Sequence, residues 1–138
     1  VKSELYEWRA TALGRLAEII VLDQFSRNIY RDLSASFAQD PLALALAQEA
    51  VSRGCAEELT SGQRSFLYMP FMHSESPLIH QQALLLFSES GLEDNYDFEL
   101  RHKAIIDRFA RYPHRNAILG RESTPEETEF LSEPGSSF

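Results

Sequence analysis

An all-α domain is what this sequence of 138 residues predicts, and three features predict it. Apolar residues recur at steps of three and four. Cap-then-proline pairs open segments at Asp40-Pro41, Ser76-Pro77 and Thr124-Pro125. No stretch shows β-branched alternation flanked by hairpin turn chemistry. Short connections make successive helices antiparallel neighbours. The choice is then between a compact helical bundle and a superhelix of helical hairpins.

The first helix is expected over about residues 2–22, with Leu5, Trp8, Ala12, Leu16 and Ile19 on one face. It runs into Asp23-Gln24-Phe25-Ser26-Arg27-Asn28, where the clean period is lost. Asp40, as N-cap, opens a helix from Leu42 to Arg53 that Gly54 closes in the left-handed C′ position. Leucine and alanine alternate there, but both are helix formers and neither is β-branched. Its alanines should let a neighbouring helix approach closely. A third helix spans Ser61–Met72, with Pro70 kinking or ending it. Ser76-Pro77 opens the next, to about Ser90, stopped by Gly91. Asp94 or Asp97 starts another that carries Phe98, Ile105, Ile106 and Phe109 to Tyr112, before Pro113. Thr124 and Glu127 form a capping box for a short last helix with Phe130 and Leu131. Residues 1–132 read as one all-helical domain and 133–138 as a flexible tail. Trp8 and Leu13-Gly14 superficially resemble a tetratricopeptide start, but nothing recurs at thirty-odd residues.

The net charge of −8 argues against a nucleic-acid partner and against adhesion to an anionic membrane. The charge is unevenly spread. Residues 101–121 hold six Arg or Lys against one Asp, whereas residues 122–138 hold five Glu and no base. The single cysteine, Cys55, excludes an intrachain disulfide and fits a cytoplasmic setting. The longest apolar run, Leu42–Ala47, is six residues, against the ~20 a membrane helix needs. The chain opens at Val1 directly on a helical pattern, which suggests part of a longer protein.

Phosphate loops, nucleophile elbows, H-E-x-x-H and paired C-x-x-C motifs are missing, so no cofactor is expected. Polar residues gather in four places instead. In Asp23-Gln24-x-x-Arg27-Asn28-x-x-Arg31, helical spacing pairs Asp23 with Arg27 and Gln24 with Asn28. This is either a polar wall or an ion pair fixing a helix end. Met69–Glu75 delivers His73 and Glu75 to a helix terminus, as base and orienter or as a structural histidine. His102 shares a stripe with Ile105, Ile106 and Phe109, so it faces inward. Arg108, Arg111, His114, Arg115, Asn116 and Arg121 surround a proline turn. Those guanidinium groups could converge on a carboxylate or phosphate, or pair with the acidic segment that follows.

The strings Leu22-Asp23-Gln24-Phe25-x-Arg27-Asn28, Tyr68–Glu75 and Arg108-Phe109-x-Arg111-x-Pro113-His114-Arg115-Asn116 resemble an uncharacterised, mainly bacterial family, the domain of unknown function numbered 924. The resemblance covers roughly Leu16 to Leu131. It implies an all-helical, tetratricopeptide-like right-handed superhelix. Members usually carry a further N-terminal helical stretch rich in Trp and Phe, which this chain lacks. Ala110 stands where glycine is usual, and Tyr112 where phenylalanine is usual. The family has no assigned activity.

The expected function is a binding or scaffold module with a concave polar site for an anionic small molecule or acidic peptide. Asp23, Gln24, Arg27, Asn28, His102, Arg108, Arg111, Arg115, Asn116 and Arg121 would build it, beside His73, Glu75 and His114. The rival is an enzyme with His73 or His114 as general base, oriented by Glu75 or Asp23, and arginines clamping the substrate. A metal held by His73, Glu75 and His102 or His114 is a third arrangement, although His-x-Glu supplies two ligands at best.

Overall fold

The computed structural model describes Lys2 and residues 4–138. Among these residues every regular element is helical and there is no strand. The α-helices are α1 (Ala12–Ile20), α2 (Ser26–Ile29), α3 (Asp40–Ser52), α4 (Ser61–Met72), α5 (Pro77–Phe87), α6 (Glu93–Phe109), α7 (Asn116–Leu119) and α8 (Pro125–Leu131). From α3 to α6, each packs on the next in sequence, and α1 lies against both α3 and α4.

The predicted first helix is divided. Tyr6–Ala10 forms a separate 3-10 turn, and the Thr11 hydroxyl accepts from the Gly14 amide to start α1. Only Ala12, Leu16 and Ile19 of the predicted stripe are buried, and Trp8 is 43% exposed. The crossing of the 3-10 turn over α1 requires glycine, since a Cβ on Gly14 would sit 1.9 Å from the Trp8 carbonyl oxygen. Beyond α1 the helix widens into a π-turn, Val21–Phe25, before α2. The widening explains the lost period, because an extra residue per turn rotates the following side chains.

The alanines of α3 behave as the sequence predicts. Ala43, Ala47 and Ala50 are fully buried, and α1 and α4 pack beside them. Asp40 is not the N-cap. It lies in the first turn of α3, and Gln39 precedes the helix without a side-chain cap bond. The Asp40 carboxylate serves arginines instead. Thr60 and Gln63 form a capping box for α4. Pro70 lies within α4, which continues to Met72.

Helix α6 begins at Glu93 and ends at Phe109, three residues before Tyr112. Ala110 stops it by adopting the left-handed conformation, φ +56°. That conformation costs an L-residue ~1–2 kcal/mol, partly offset by the lower chain entropy of alanine relative to glycine. Ala110→Gly is therefore expected to stabilise the fold by about 0.5–1 kcal/mol, read as a raised thermal midpoint. A lowered midpoint would contradict the strained geometry.

Core residues of α1, α3, α4 and α5 form one cluster, while Ile105, Ile106 and Tyr112 form a second with Phe109 and Phe130. The turn between α6 and α7 lies between these clusters and the acidic last helix. Its side chains therefore point both ways. After α8, Ser136 donates to the Leu131 carbonyl and the Phe138 ring lies 3.8 Å from that of His102. No helix among the described residues is long and apolar enough to cross a membrane.

Candidate functional site

The π-turn carries Asp23 inward, where it is 1% exposed beside Leu22. Its Oδ1 accepts from Arg27 Nη1 at 2.8 Å and faces His73 Nδ1 at 2.7 Å. Its Oδ2 accepts from Gln24 Nε2 at 2.5 Å. Burial raises the Asp23 pKa, but His73, Arg27 and Gln24 outweigh it, so Asp23 lies below the ordinary carboxylate range. One turn on, Arg27 also donates to both Asp40 oxygens, at 2.8 and 2.9 Å. The sequence spacing thus found the Asp23–Arg27 pair and missed its second acid.

His73 caps the end of α4, which explains how a proline-containing helix delivers it. With Asp23 ionised, Nδ1 holds the proton and Nε2 remains an acceptor. Burial first, then the nearby Arg27 charge, pulls its pKa below that of free imidazole despite Asp23. Arg115 comes from the turn after Pro113. It donates to the His73 carbonyl at 2.9 Å and approaches Asp40 Oδ2 at 3.6 Å. Its guanidinium lies over the Phe37 and Tyr112 rings, at 4.5 and 4.7 Å. This chain Asp23–Arg27–Asp40–Arg115 is charge-balanced, two acids against two bases.

Three hollows meet at Phe37. One, of ≈ 350 Å³, is lined by Gln24, Met72, His73, Phe98, His102 and His114 among others. A second, of ≈ 390 Å³, lies across Phe37 and Arg115 and is lined by Ser34, Pro70, Ser74 and Glu75. An outer groove of ≈ 570 Å³ runs past Asn28, Arg31, Asp32 and His114. In the first cavity His102 donates Nδ1–H to the Phe98 carbonyl at 2.7 Å, leaving Nε2 as acceptor. His114 Nδ1 is buried without a hydrogen-bond partner. Burial pushes both His102 and His114 down to about 4, so both are neutral at pH 7.

The structure therefore gathers Gln24, Arg27, His73, His102, His114 and Arg115 around one cavity, with Asp23 behind His73 and Arg27 and with Asn28 in the adjoining outer groove. The remaining candidates are paired with one another or with the acidic segment around the proline turn, and Glu75 among them also lines the second hollow. Glu75 accepts twice from Arg121, at 2.8 and 2.9 Å, and from the Tyr112 amide at 2.7 Å. Arg111 grips Glu127 at 2.6 and 2.7 Å, and Arg108 pairs with Glu126. Asn116 is buried, donating to Ser123 and Glu127 and accepting from Arg121. The Arg111 hydrogen bond, against burial, holds Glu127 at about 2. Here Glu126 and Glu127 of the acidic segment neutralise Arg108 and Arg111, while Arg121 is neutralised by Glu75. No group of three or more His, Cys, Asp or Glu among the described residues is placed to hold a metal ion.

Sequence reasoning missed Asp40, Phe37 and a buried pair. His80 Nδ1 lies 2.6 Å from Glu99 Oε1, both side chains fully buried. Burial raises the Glu99 pKa. His80 Nε2 faces the Ser74 carbonyl at 2.8 Å and the Tyr112 hydroxyl at 3.1 Å. The helical spacing of His80, Ala83 and Phe87, all buried, was the available signal.

A family model described as "Bacterial protein of unknown function (DUF924)" matches residues 1–135. Among solved structures, the protein of unknown function ATU0120 from Agrobacterium tumefaciens is similar. It shares 41% identity, over 94% of this chain and 73% of that one, with a TM-score of 0.87. No curated protein matches. With its all-helical fold and a family match over nearly its whole length, the chain belongs to DUF924, a family of bacterial proteins of unknown function.

Proposed function

We propose that the domain is an enzyme that binds a small molecule in the ≈ 350 Å³ cavity and moves a proton with His73 as general base. The observation that carries this reading is the 2.7 Å contact between His73 Nδ1 and buried Asp23 at the cavity wall. A carboxylate that holds the Nδ1 proton leaves Nε2 as the base and stabilises the imidazolium as it forms. Burial keeps His73 unprotonated at neutral pH, which is the working form of a base. His114 offers a further unpartnered nitrogen in the same cavity.

A purely anion-binding module fits this cavity less well. Arg27 and Arg115 already face Asp23 and Asp40, so their charges are spent inside the protein. An incoming anion would have to compete with those carboxylates.

Hydrolysis of p-nitrophenyl acetate, corrected for buffer, tests the base. The wild-type chain is expected to exceed His73→Asn by at least about tenfold at pH 7.5, a small part of what general-base catalysis supplies to a cognate substrate. The rate should rise with pH through a pKa below 6.5 and then level, since burial lowers the His73 value. Equal rates, with an unchanged circular dichroism spectrum, would remove His73 as the base and leave the cavity a binding site.

A further inference from the structure

The hollow that holds the three neutral imidazoles shares a wall with the outer groove. Arg27, Phe37, His114 and Phe138 line both. Around that shared wall two kinds of chemistry are separated. At the inner end, His102, Tyr112 and His114 present aromatic faces and edges to one position. The Phe138 ring already occupies it, at 3.8, 5.2 and 4.6 Å from their respective centroids. Those imidazoles carry no charge at neutral pH, so they act as aromatic walls. At the outer end stand Arg31 and Asp32, both exposed and adjacent in sequence.

Arg27 and Arg115 are committed to acids, but Arg31 is different. Among the described residues its contact is a 3.4 Å hydrogen bond to Asn28, and neither it nor Asp32 forms an ion pair. Asp32 has φ +65°, a left-handed backbone that Asn and Asp adopt more readily than other non-glycine residues. The groove therefore offers one unpaired cation and one unpaired anion, side by side. A plain anion would meet Arg31 but be repelled by Asp32, and a plain cation would meet the reverse. A zwitterion satisfies both.

We infer that the ligand of the outer groove, which opens to the inner hollow when Phe138 leaves their shared wall, is an aromatic α-amino acid, its ring among His102, Tyr112 and His114 where Phe138 now lies, and its carboxylate and ammonium groups at Arg31 and Asp32. The inference names the ligand class for the proposed site and rests on that site being a ligand cavity, not on His73 being a base. Phe138 is then an internal competitor, a phenylalanine ring held in the place of the ligand ring. It leaves when the ligand enters, and it is 53% exposed in its present position.

The experiment titrates L-phenylalanine, 3-phenylpropanoate and 2-phenylethylamine into the full chain, followed by calorimetry and by the NMR signals of the His102 and His114 rings. L-phenylalanine is expected to shift both imidazole signals and to bind at least tenfold more tightly than either truncated analogue. Arg31→Ala should abolish its advantage over the amine. Asp32→Asn, which keeps a residue suited to the left-handed backbone, should abolish its advantage over the carboxylate. Phe138→Ala should tighten L-phenylalanine at least threefold. The inference is overturned if L-phenylalanine leaves the two imidazoles unshifted, if all three probes bind alike, or if Phe138→Ala weakens binding. The His73 reading fails separately. Its loss would appear as unchanged ester hydrolysis in His73→Asn while L-phenylalanine still binds.

Discussion

Acidification from pH 7 to pH 4 is expected to strip several kcal/mol from the stability of the domain, with the loss beginning well above the usual carboxylate range. His73, His102 and His114 are all held neutral by burial, with folded-state values below the 6.5 of free imidazole. A base whose folded value is depressed contributes stability that is complete above 6.5 and is lost as pH falls through the folded value. For His102 and His114, at about 4, the window runs from 6.5 down to about 4. Each then contributes on the order of 2–3 kcal/mol by linkage. The lowered values of Asp23, Glu75 and Glu127 act in the same direction, starting near or below pH 4.5. Glu99 opposes them, because a raised carboxyl value loses stability as pH rises rather than falls. Urea denaturation at pH 7, 6, 5 and 4.5 checks the sum. The midpoint should fall steadily across that series, and the double variant His102→Gln, His114→Gln should flatten it. A midpoint constant from pH 7 to 5 would mean that these imidazoles are already charged or solvated.

Asp23→Asn is expected to remove most of the His73-dependent rate, lowering ester hydrolysis about tenfold towards that of His73→Asn while leaving the fold in place, a loss of ~1.4 kcal/mol of transition-state stabilisation. The substitution keeps an oxygen that can accept from both His73 and Arg27, which share Oδ1 in the native protein. Gln24 can turn its amide to meet the new amino group. Arg27 retains Asp40 at two contacts, so its charge stays partnered. What disappears is the negative charge opposite Nδ1, which favours the imidazolium. The His73 pKa should accordingly fall further, because the Asp23 charge is among the influences that raise it. NMR titration of the His73 ring against pH reads that fall directly. A rate within threefold of wild type, or a raised His73 pKa, would show that Asp23 only positions the helix end.

Local signals were sufficient where a residue acts on its own backbone neighbours. The Thr124–Glu127 box, the Gly54 stop and the buried alanines of α3 belong to this group. Asp23–Arg27 also belongs there, since four residues on a helix fix the encounter. Asp40 shows why such reasoning runs out. Its position before proline suited an N-cap, yet Arg27 and Arg115, from two distant segments, took its carboxylate. Two charge-assisted contacts outweigh one exposed cap bond, and no spacing rule could anticipate partners 13 and 75 residues away. His102 was legible as inward-facing because its stripe is helical. His80 was equally periodic, but its buried carboxylate partner lies on another helix.

The basic segment at residues 101–121 illustrates the same division. Composition alone located it and raised both of its possible roles, a clamp for an outside ligand or a partner for the acids that follow. Tertiary structure divided it between the two. Arg108, Arg111 and Arg121 meet Glu126, Glu127 and Glu75, whereas His114 and Arg115 turn to the cavity. By itself the sequence determined the helices, the family and the residue types available for chemistry, because periodicity, caps and motif strings are local. Only the folded chain decided which charges remain free, because pairing depends on the distances between segments that sequence spacing does not contain.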